Sequence, residues 1–339
     1  MRRKGIVKEA LRKFKNLKFV RVIGFNRVVL ILIIFLMYGL FTLLTPILRN
    51  GSSFVNYNRI MSAFNYAYFI GFLGLGVTFV IATGGIDFSI GPVMFCSALI
   101  SGYCLTTFNL PLWLCILISI AVGSIFGSIG GYFVAYRHLP SFITSLALMQ
   151  VAKGVGSIFT KTQSVTWPSD NPSISWYRDL VKWNNFPTGF VIFLIVAAIC
   201  AVILFRTTAG RYMLCLGSNK EAVRLSGVDT RKWEMLAYIL CGTLAGIAAI
   251  FYVGAYTTVQ PGLGDTFNNE AIAACVMGGT SMAGGSASIL GTVIGAIIVA
   301  LMQEGILAMG FTISYQYVLT GLIVLCAVTA DITSRKRKN

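Results

Sequence analysis

The chain has 339 residues, 56% of them hydrophobic and 11% charged, with a mean hydropathy of +0.79 and a formal net charge of +16. Those values lie far from a soluble globular average and match an integral membrane protein. No polar stretch is long enough to bury a core of its own, which excludes a fused ATPase or catalytic domain.

The charge is distributed in a way that accounts for it without nucleic acid. Of the 27 Lys and Arg, 10 fall in residues 1–27, 6 in 206–232 and 4 in the tail Arg335-Lys336-Arg337-Lys338. Basic clusters beside apolar runs are the positive-inside signature of a membrane protein. Residues 1–27 form a basic cytoplasmic segment. Ile6, Val7, Ala10, Leu11, Phe14 and Leu17 recur there at helical spacing between lysines and arginines, as in an amphipathic helix on the membrane surface. A disordered basic tail is the plainer alternative. Residues 28–48 carry no charge and no small-residue cleavage site, so they read as a first span and not a removable signal peptide.

About ten apolar runs have the length of a span or of a re-entrant segment. In chain order they are 28–48, 60–83, 91–107, 112–136, 141–160, 187–205, 233–254, 268–282, 287–304 and 315–331. The eighth, with Glu270 at its start and Gly278-Gly279 near its end, is short enough to be re-entrant, and counts from eight to eleven stay open. The expected fold class is an all-α polytopic membrane protein, with a transmembrane domain over 28–331 and a basic cytoplasmic tail at 332–339. With the N-terminus inside, 84–90, 137–140, 206–232, 283–286 and the C-terminus are cytoplasmic. The loops 49–59, 108–111, 161–186, 255–267 and 305–314 are then external, and the richest basic clusters all fall inside. The external loop 161–186 holds Trp167, Trp176, Tyr177 and Trp183 with Pro168 and Pro172, and Pro187 follows it. It fits an interfacial aromatic belt or a docking surface for an external partner.

Gly84-Gly85 with Gly91 has the form G-G-x5-G, and so does Gly278-Gly279 with Gly285. Repeated halves with broken helices at corresponding positions are common in transporters. Enzyme signatures are missing: no G-x-x-x-x-G-K-[ST], no H-E-x-x-H, no Cys/His array with metal-ligand spacing, and a single His138. No catalytic residue and no metal site is expected. The eight cysteines read as small apolar packing residues.

The segment Gly217 to Asp229 predicts a short displayed helix over 220–226, capped by Ser218 or Asn219 and ended by Gly227. Ala222 and Leu225 give it an apolar face; Lys220, Glu221 and Arg224 give a charged one. So short a helix is poorly stabilised alone, because nucleation is unfavourable. A groove on a partner protein supplies what it lacks; an ordinary interfacial loop helix is the alternative.

The run Gly84-Gly85-Ile86-Asp87-Phe88-Ser89-Ile90-Gly91 resembles the G-G-I-D-L-S-V-G signature of ribose-type ABC importer permeases, a family that also includes galactoside, xylose and autoinducer permeases. Three further segments resemble that family in order and spacing. They are Leu139-Pro140-Ser141-Phe142-Ile143-Thr144, the cytoplasmic loop Gly217 to Gly227, and Glu270-Ala271-Ile272-Ala273-Ala274 followed by Gly278-Gly279-Thr280-Ser281 and Gly284-Gly285. The similarity runs from about residue 60 to about residue 331. Phe88 replaces the usual Leu, Pro92 a usual Ser, and Lys153 stands where many relatives have Arg.

The resemblance implies a fold similar to the vitamin B12-type importer permeases and a pair of permeases, two copies or this chain with a paralogue, around a central pathway. It implies a separate cytoplasmic ATPase with two nucleotide-binding halves, carrying ATP-Mg, so that this chain binds no cofactor itself. It also implies an extracytoplasmic binding protein that delivers a sugar or related polyol-like solute, and a bacterial cytoplasmic membrane location. Within 206–232, residues Asn219, Lys220, Glu221, Ala222, Arg224, Leu225 and Gly227 become an ATPase-coupling helix. Gly84, Gly85, Asp87, Ser89, Gly91, Glu270, Gly278 and Gly279 become family-motif, structural positions.

Asp87, Lys153, Glu270 and Glu304 are the charges nearest the membrane interior. For Asp87 and Glu270 the expected role is capping of a helix N-terminus. Asn65, Tyr66, Lys153 and Gln260 are candidate pathway residues. The competing function is a proton-coupled secondary transporter of a small polar solute, using Asp87, Glu270 or Lys153 as a relay.

Overall fold

The computed structural model describes residues 25–49, 53–170, 172–184 and 186–336, and these are almost wholly helical. In chain order the helices are α1 (Phe25–Leu48), α2 (Tyr57–Ala82), α3 (Ile90–Thr107), α4 (Leu112–Ala135), α5 (Ser141–Phe159) and the single turn α6 (Pro172–Ser175). There follow α7 (Thr188–Arg206), α8 (Thr208–Leu225), α9 (Thr230–Tyr256), α10 (Asp265–Met277), α11 (Ile289–Ala308) and α12 (Ile313–Lys336). The one sheet among the described residues is a two-residue antiparallel pair, β1 (Val165–Thr166) with β2 (Thr258–Val259). The expected N-terminal amphipathic helix lies outside the described residues.

Eight helices, α1 to α5, α7, α9 and α11, are long and apolar enough to cross a bilayer, at the runs expected. Two runs differ. The one expected at 268–282 is α10, shifted to 265–277; its 13 residues reach about 20 Å, against about 30 Å of hydrocarbon. The one expected at 315–331 lies within α12, a longer helix that runs on from its apolar part into Arg335 and Lys336.

Helix α2 is the axis of the bundle, buried along most of its length and packed against α9, α11, α10 and α7. Its Phe69, Phe72 and Phe79 join Phe193 of α7 and Phe251 of α9 in the main core. The closest helix pair is α4 with α9. Gly123 and Gly127 of α4 face Gly242 and Gly246 of α9, so nearly that a Cβ on Gly123 would strike the Gly242 carbonyl and one on Gly242 the Gly123 carbonyl. Lipid supplies no hydrophobic drive between helices, so small residues at four-residue spacing hold the pair through backbone-to-backbone packing. Ser119 Oγ adds a hydrogen bond to the Gly246 carbonyl at 2.9 Å.

At one end of the bundle three turns interlock. The Gly285 amide donates to the Ala82 carbonyl at 3.1 Å, and Gly217 of α8 fits where a Cβ would collide with Ala82 O. Gly284, at φ +80, lies against Gly217 and Gly84. The turn after α2, the turn after α10 and helix α8 therefore share one backbone contact. At the other end β1 pairs with β2, and the Trp167 amide donates to Thr257 O at 2.9 Å. Trp167 and Tyr177 are fully buried there, their rings 5.3 Å apart, so neither is a belt or a docking residue; Trp176 and Trp183 are exposed. Six of the cysteines are buried as packing residues, while Cys215 and Cys326 are exposed.

Candidate functional site

Residues 206–232 fold more fully than a loop with one short helix. Helix α8 starts at Thr208, where Thr207 Oγ1 accepts from the Gly210 amide at 3.3 Å. It breaks at Asn219, whose backbone leaves helical geometry at φ −160 and ψ 94. The Asn219 side chain then accepts from the Ala222 amide at 3.0 Å and so caps a second, short helix that ends before Gly227, at φ +81. Asparagine side chains satisfy the orphan amides of a helix start, and glycine takes the left-handed position that ends one. Of this short helix only Val223 is buried, while Ala222, Arg224 and Leu225 are exposed, Leu225 at 75%. Lys220 pairs with Glu234 of α9 at 2.6 Å, and Arg224 bonds Glu221 through two nitrogens at 3.0 and 2.6 Å. Arg224 hydrogen-bonding holds the Glu221 carboxyl below its ordinary range. The helix is thus a preformed, outward-facing unit with an apolar tip.

The motif Gly84 to Gly91 forms a return into the bundle. Gly84, at φ +87, turns the chain after α2; the Ile86 amide then donates to Ser141 Oγ of α5 at 3.2 Å. Asp87 is buried and accepts from both the amide and the hydroxyl of Ser89, at 2.8 and 2.6 Å. The N-cap of α3 is Ser89, so Asp87 acts two residues ahead of the cap as an Asx-type turn, not as the cap expected. Glu270 also departs from expectation. It lies one turn inside α10, 2% exposed, where Tyr66 of α2 donates to one carboxylate oxygen at 2.5 Å and Gln316 of α12 to the other at 2.9 Å. It ties three helices together and caps none.

The two G-G-x5-G copies sit at the ends of α2 and α10, but their third glycines differ in role. Gly91 is in the first turn of α3, whereas Gly285 is a turn residue at φ +75. Gly278 is an ordinary helix end and Gly279, at φ +92, makes the turn.

Helices α3 and α10 meet by their N-termini. The Gly91 amide donates to Asn268 Oδ1 at 2.7 Å, and a Cβ on Gly91 would strike the Gly264 carbonyl. Helix α10 rises only about 20 Å from its glycine turn, short of the about 30 Å of a hydrocarbon core, and the non-helical stretch 260–264 leads into it. Of the loop expected at 255–267, residues 265–267 belong to α10. Beside this point Lys153 of α5 pairs with Asp265, and Gln150, Gln260 and Asn269 are exposed. Exposed polar side chains and irregular backbone at membrane depth are tolerated where protein or a water-filled cavity covers them, not against lipid. This face of α5 and α10 is the candidate pathway wall.

Of the four pathway candidates, Lys153 is on that face, and Gln260 is exposed in the non-helical stretch before α10. Tyr66 is buried behind it, against Glu270. Asn65 lines a separate pocket, at the end of the bundle where β1 pairs with β2. The charges that a proton relay would use are held in three distinct networks: Asp87 with Ser89, Glu270 with Tyr66 and Gln316, Lys153 with Asp265. Sequence reasoning missed Asn268, Asp265 and Gln316. An Asp-Thr-Phe-Asn run after two glycines is a helix-start signal that marks the first two; nothing local marks Gln316.

Residues 59–328 match the family model described as the branched-chain amino acid transport system permease component. The chain is 30% identical over 294 residues to the ribose import permease protein RbsC of Escherichia coli K12, covering 86% of this chain and 91% of that one. It is 32% identical over 272 residues to the fructose import permease protein FrcC of Rhizobium meliloti, with 79% and 76% covered. It is 29% identical over 266 residues to a probable ABC transporter permease protein, y4mJ, of Sinorhizobium fredii, with 78% and 79% covered. No solved structure matches the chain. A family match over residues 59–328, from α2 into α12, together with these relatives shows the family: the chain belongs to this family of ABC-importer permeases, membrane components of transport systems and not enzymes.

Proposed function

We propose that this chain is the permease of an ATP-driven importer that moves a small sugar into a bacterial cytoplasm. The observation that carries the substrate class is the pair of sugar import permeases, for ribose and for fructose, that match most of its length. A second permease, a copy or a paralogue, covers the α5–α10 face and completes the pathway. A tandem-domain ATPase carrying ATP-Mg docks on the short helix at 220–225, which supplies the exposed Leu225 and the Glu221–Arg224 pair. An extracytoplasmic binding protein delivers the sugar at the opposite end. The termini are cytoplasmic, in keeping with the basic clusters at 1–27 and 206–232.

In this reading ATP-driven motion of the ATPase pushes the 220–225 helix. Gly217 lies against the turns that follow α2 and α10, so the push reaches both broken elements. The Gly91–Asn268 contact then opens or closes the face bearing Lys153 and Asp265. Lys153 and Asp265 would meet sugar hydroxyls as donor and acceptor while binding them loosely.

The test is co-purification of the permease with its ATPase and sugar uptake in vesicles, comparing the natural chain with Glu221→Arg/Leu225→Asp. Loss of the complex and of ATP-dependent uptake in the double variant is expected. Uptake that survives loss of the ATPase altogether would overturn the importer reading.

A further inference from the structure

A polar pocket of about 470 Å³ opens at the outer end of α2, away from the α5–α10 face. Ser62 and Asn65 of α2 form one wall. Ser175, Arg178, Asp179 and Lys182, on the segment that folds back over the bundle, form the other. Met61, Val181 and Gly254 give it an apolar floor, of which Met61 is 5% and Val181 2% exposed. The floor is open because residue 254 is glycine: a Cβ there would come 2.5 Å from Val181 Cγ2.

Two observations make this more than a surface hollow. Asn65 Oδ1 is buried and has no hydrogen-bond partner, although a buried acceptor without one is costly. Asn65 is among the residues lining the pocket, and a turn of its side chain would bring this unpaired acceptor to a hydroxyl donor held there. The lining is also of one chemical kind. Asn, Asp and Arg each present two adjacent polar atoms in a plane, which suits vicinal hydroxyl pairs, and the serines add single donors and acceptors. A sugar ring is polar at its rim and apolar on its C–H face, and the pocket has that same division.

We infer that this pocket is a binding site for a monosaccharide-sized polyhydroxylated solute, held by Asn65, Arg178 and Asp179 on the outer end of the permease. The inference rests on the proposed sugar-import function and names a place where this chain itself holds the sugar. Asn65 neighbours Tyr66, whose hydroxyl holds Glu270 of α10, so an occupied pocket sits one residue from the strut of the pathway half-helix.

The experiment has two arms. Uptake of labelled ribose, fructose, galactose and xylose by cells expressing the whole importer identifies the transported sugar. Equilibrium binding of that sugar is then measured on purified permease without its binding protein, for the natural chain, Asn65→Leu and Arg178→Ala. Asn65→Leu removes a buried unpaired acceptor, so its thermal midpoint should not fall. The expected result is saturable binding to the natural chain and a loss of about tenfold or more in each variant at unchanged thermal midpoint. Uptake of a sugar with no binding to the natural chain, or with equal binding by both variants, overturns the pocket and leaves the import function standing. No uptake of any of the four overturns both.

Discussion

The amide of Gly91 donates to the side-chain oxygen of Asn268 at 2.7 Å, joining the first turn of α3 to the first turn of α10. The bond closes a gap that only a glycine permits, because the Gly264 carbonyl fills the space of a Cβ at residue 91. Gly91→Ala is expected to cost about 1–3 kcal/mol through overpacking, and to abolish uptake. Asn268→Ala removes the acceptor alone and costs about 1–3 kcal/mol for the unpaired buried amide. Thermal unfolding in detergent, with uptake alongside, distinguishes the two; natural stability in the Gly91→Ala variant would refute the contact.

Glu270 is braced on both of its oxygens, by Tyr66 on one and Gln316 on the other. Tyr66→Phe takes away one donor and should destabilise by about 1–3 kcal/mol. In a double-mutant cycle with Glu270→Gln, the two changes should couple by about 0.5–3 kcal/mol, as groups in direct contact do. Additive effects would mean that the tyrosine and the carboxylate do not interact.

The short helix after Asn219 depends on its cap. Asn219→Ala leaves the Ala222 amide without its acceptor and should cost about 1 kcal/mol of local helix stability. Amide exchange across 220–225 should quicken while the rest of α8 is unchanged, and ATPase co-purification should weaken. Asn219→Asp, which keeps the cap, should behave as the natural chain.

Glu221 titrates below the ordinary carboxylate range because it accepts from Arg224. Its folded pKa is depressed, so the stabilisation of the pair is present above the unfolded value and is lost as pH falls through the folded one. Both groups are fully exposed, so the effect is local and sensitive to salt. Carbon NMR of the Glu221 carboxyl should show a titration below about 4.3 in the natural chain, returning toward that value in Arg224→Ala.

The α4–α9 seam predicts a sharper failure. Gly127→Leu drives a branched side chain into the Tyr238 carbonyl of α9, where nothing can yield except backbone. Loss of monodisperse protein on size exclusion is the expected outcome, whereas Gly154→Leu, with open space around residue 154, should purify normally.

Much of this fold is legible in the sequence because lipid imposes a simple rule: a charge-free run of span length is a helix. Residues 112–135 and 188–205 are of that kind. Helix α10 breaks the rule, being too short to span, and its polar first turn reads as loop. The first half of α8 was hidden for a related reason: its apolar residues Tyr212 to Leu216 run consecutively, too few for a span and with no helical periodicity beyond them. The cap at Asn219 and the stop at Gly227 were readable because capping is local chemistry. The Tyr66–Glu270 bond was not, since its partners are 204 residues apart and no spacing rule connects them. The same distance in sequence hid the α5–α10 face, which depends on where the chain re-enters the membrane.

The interlocked turns around Gly217 have a mechanical corollary. A flexible tether between the displayed helix and the bundle would absorb a stroke before it reached the interior. Here the last helical residue before the kink at Asn219 is Ser218, whose hydroxyl is already anchored to Leu214 O at 3.2 Å, and its neighbour Gly217 bears directly on the backbone beside Ala82 and Gly284. A stroke delivered to the displayed helix would meet no slack before those turns, and the turns after α2 and α10 should then move together.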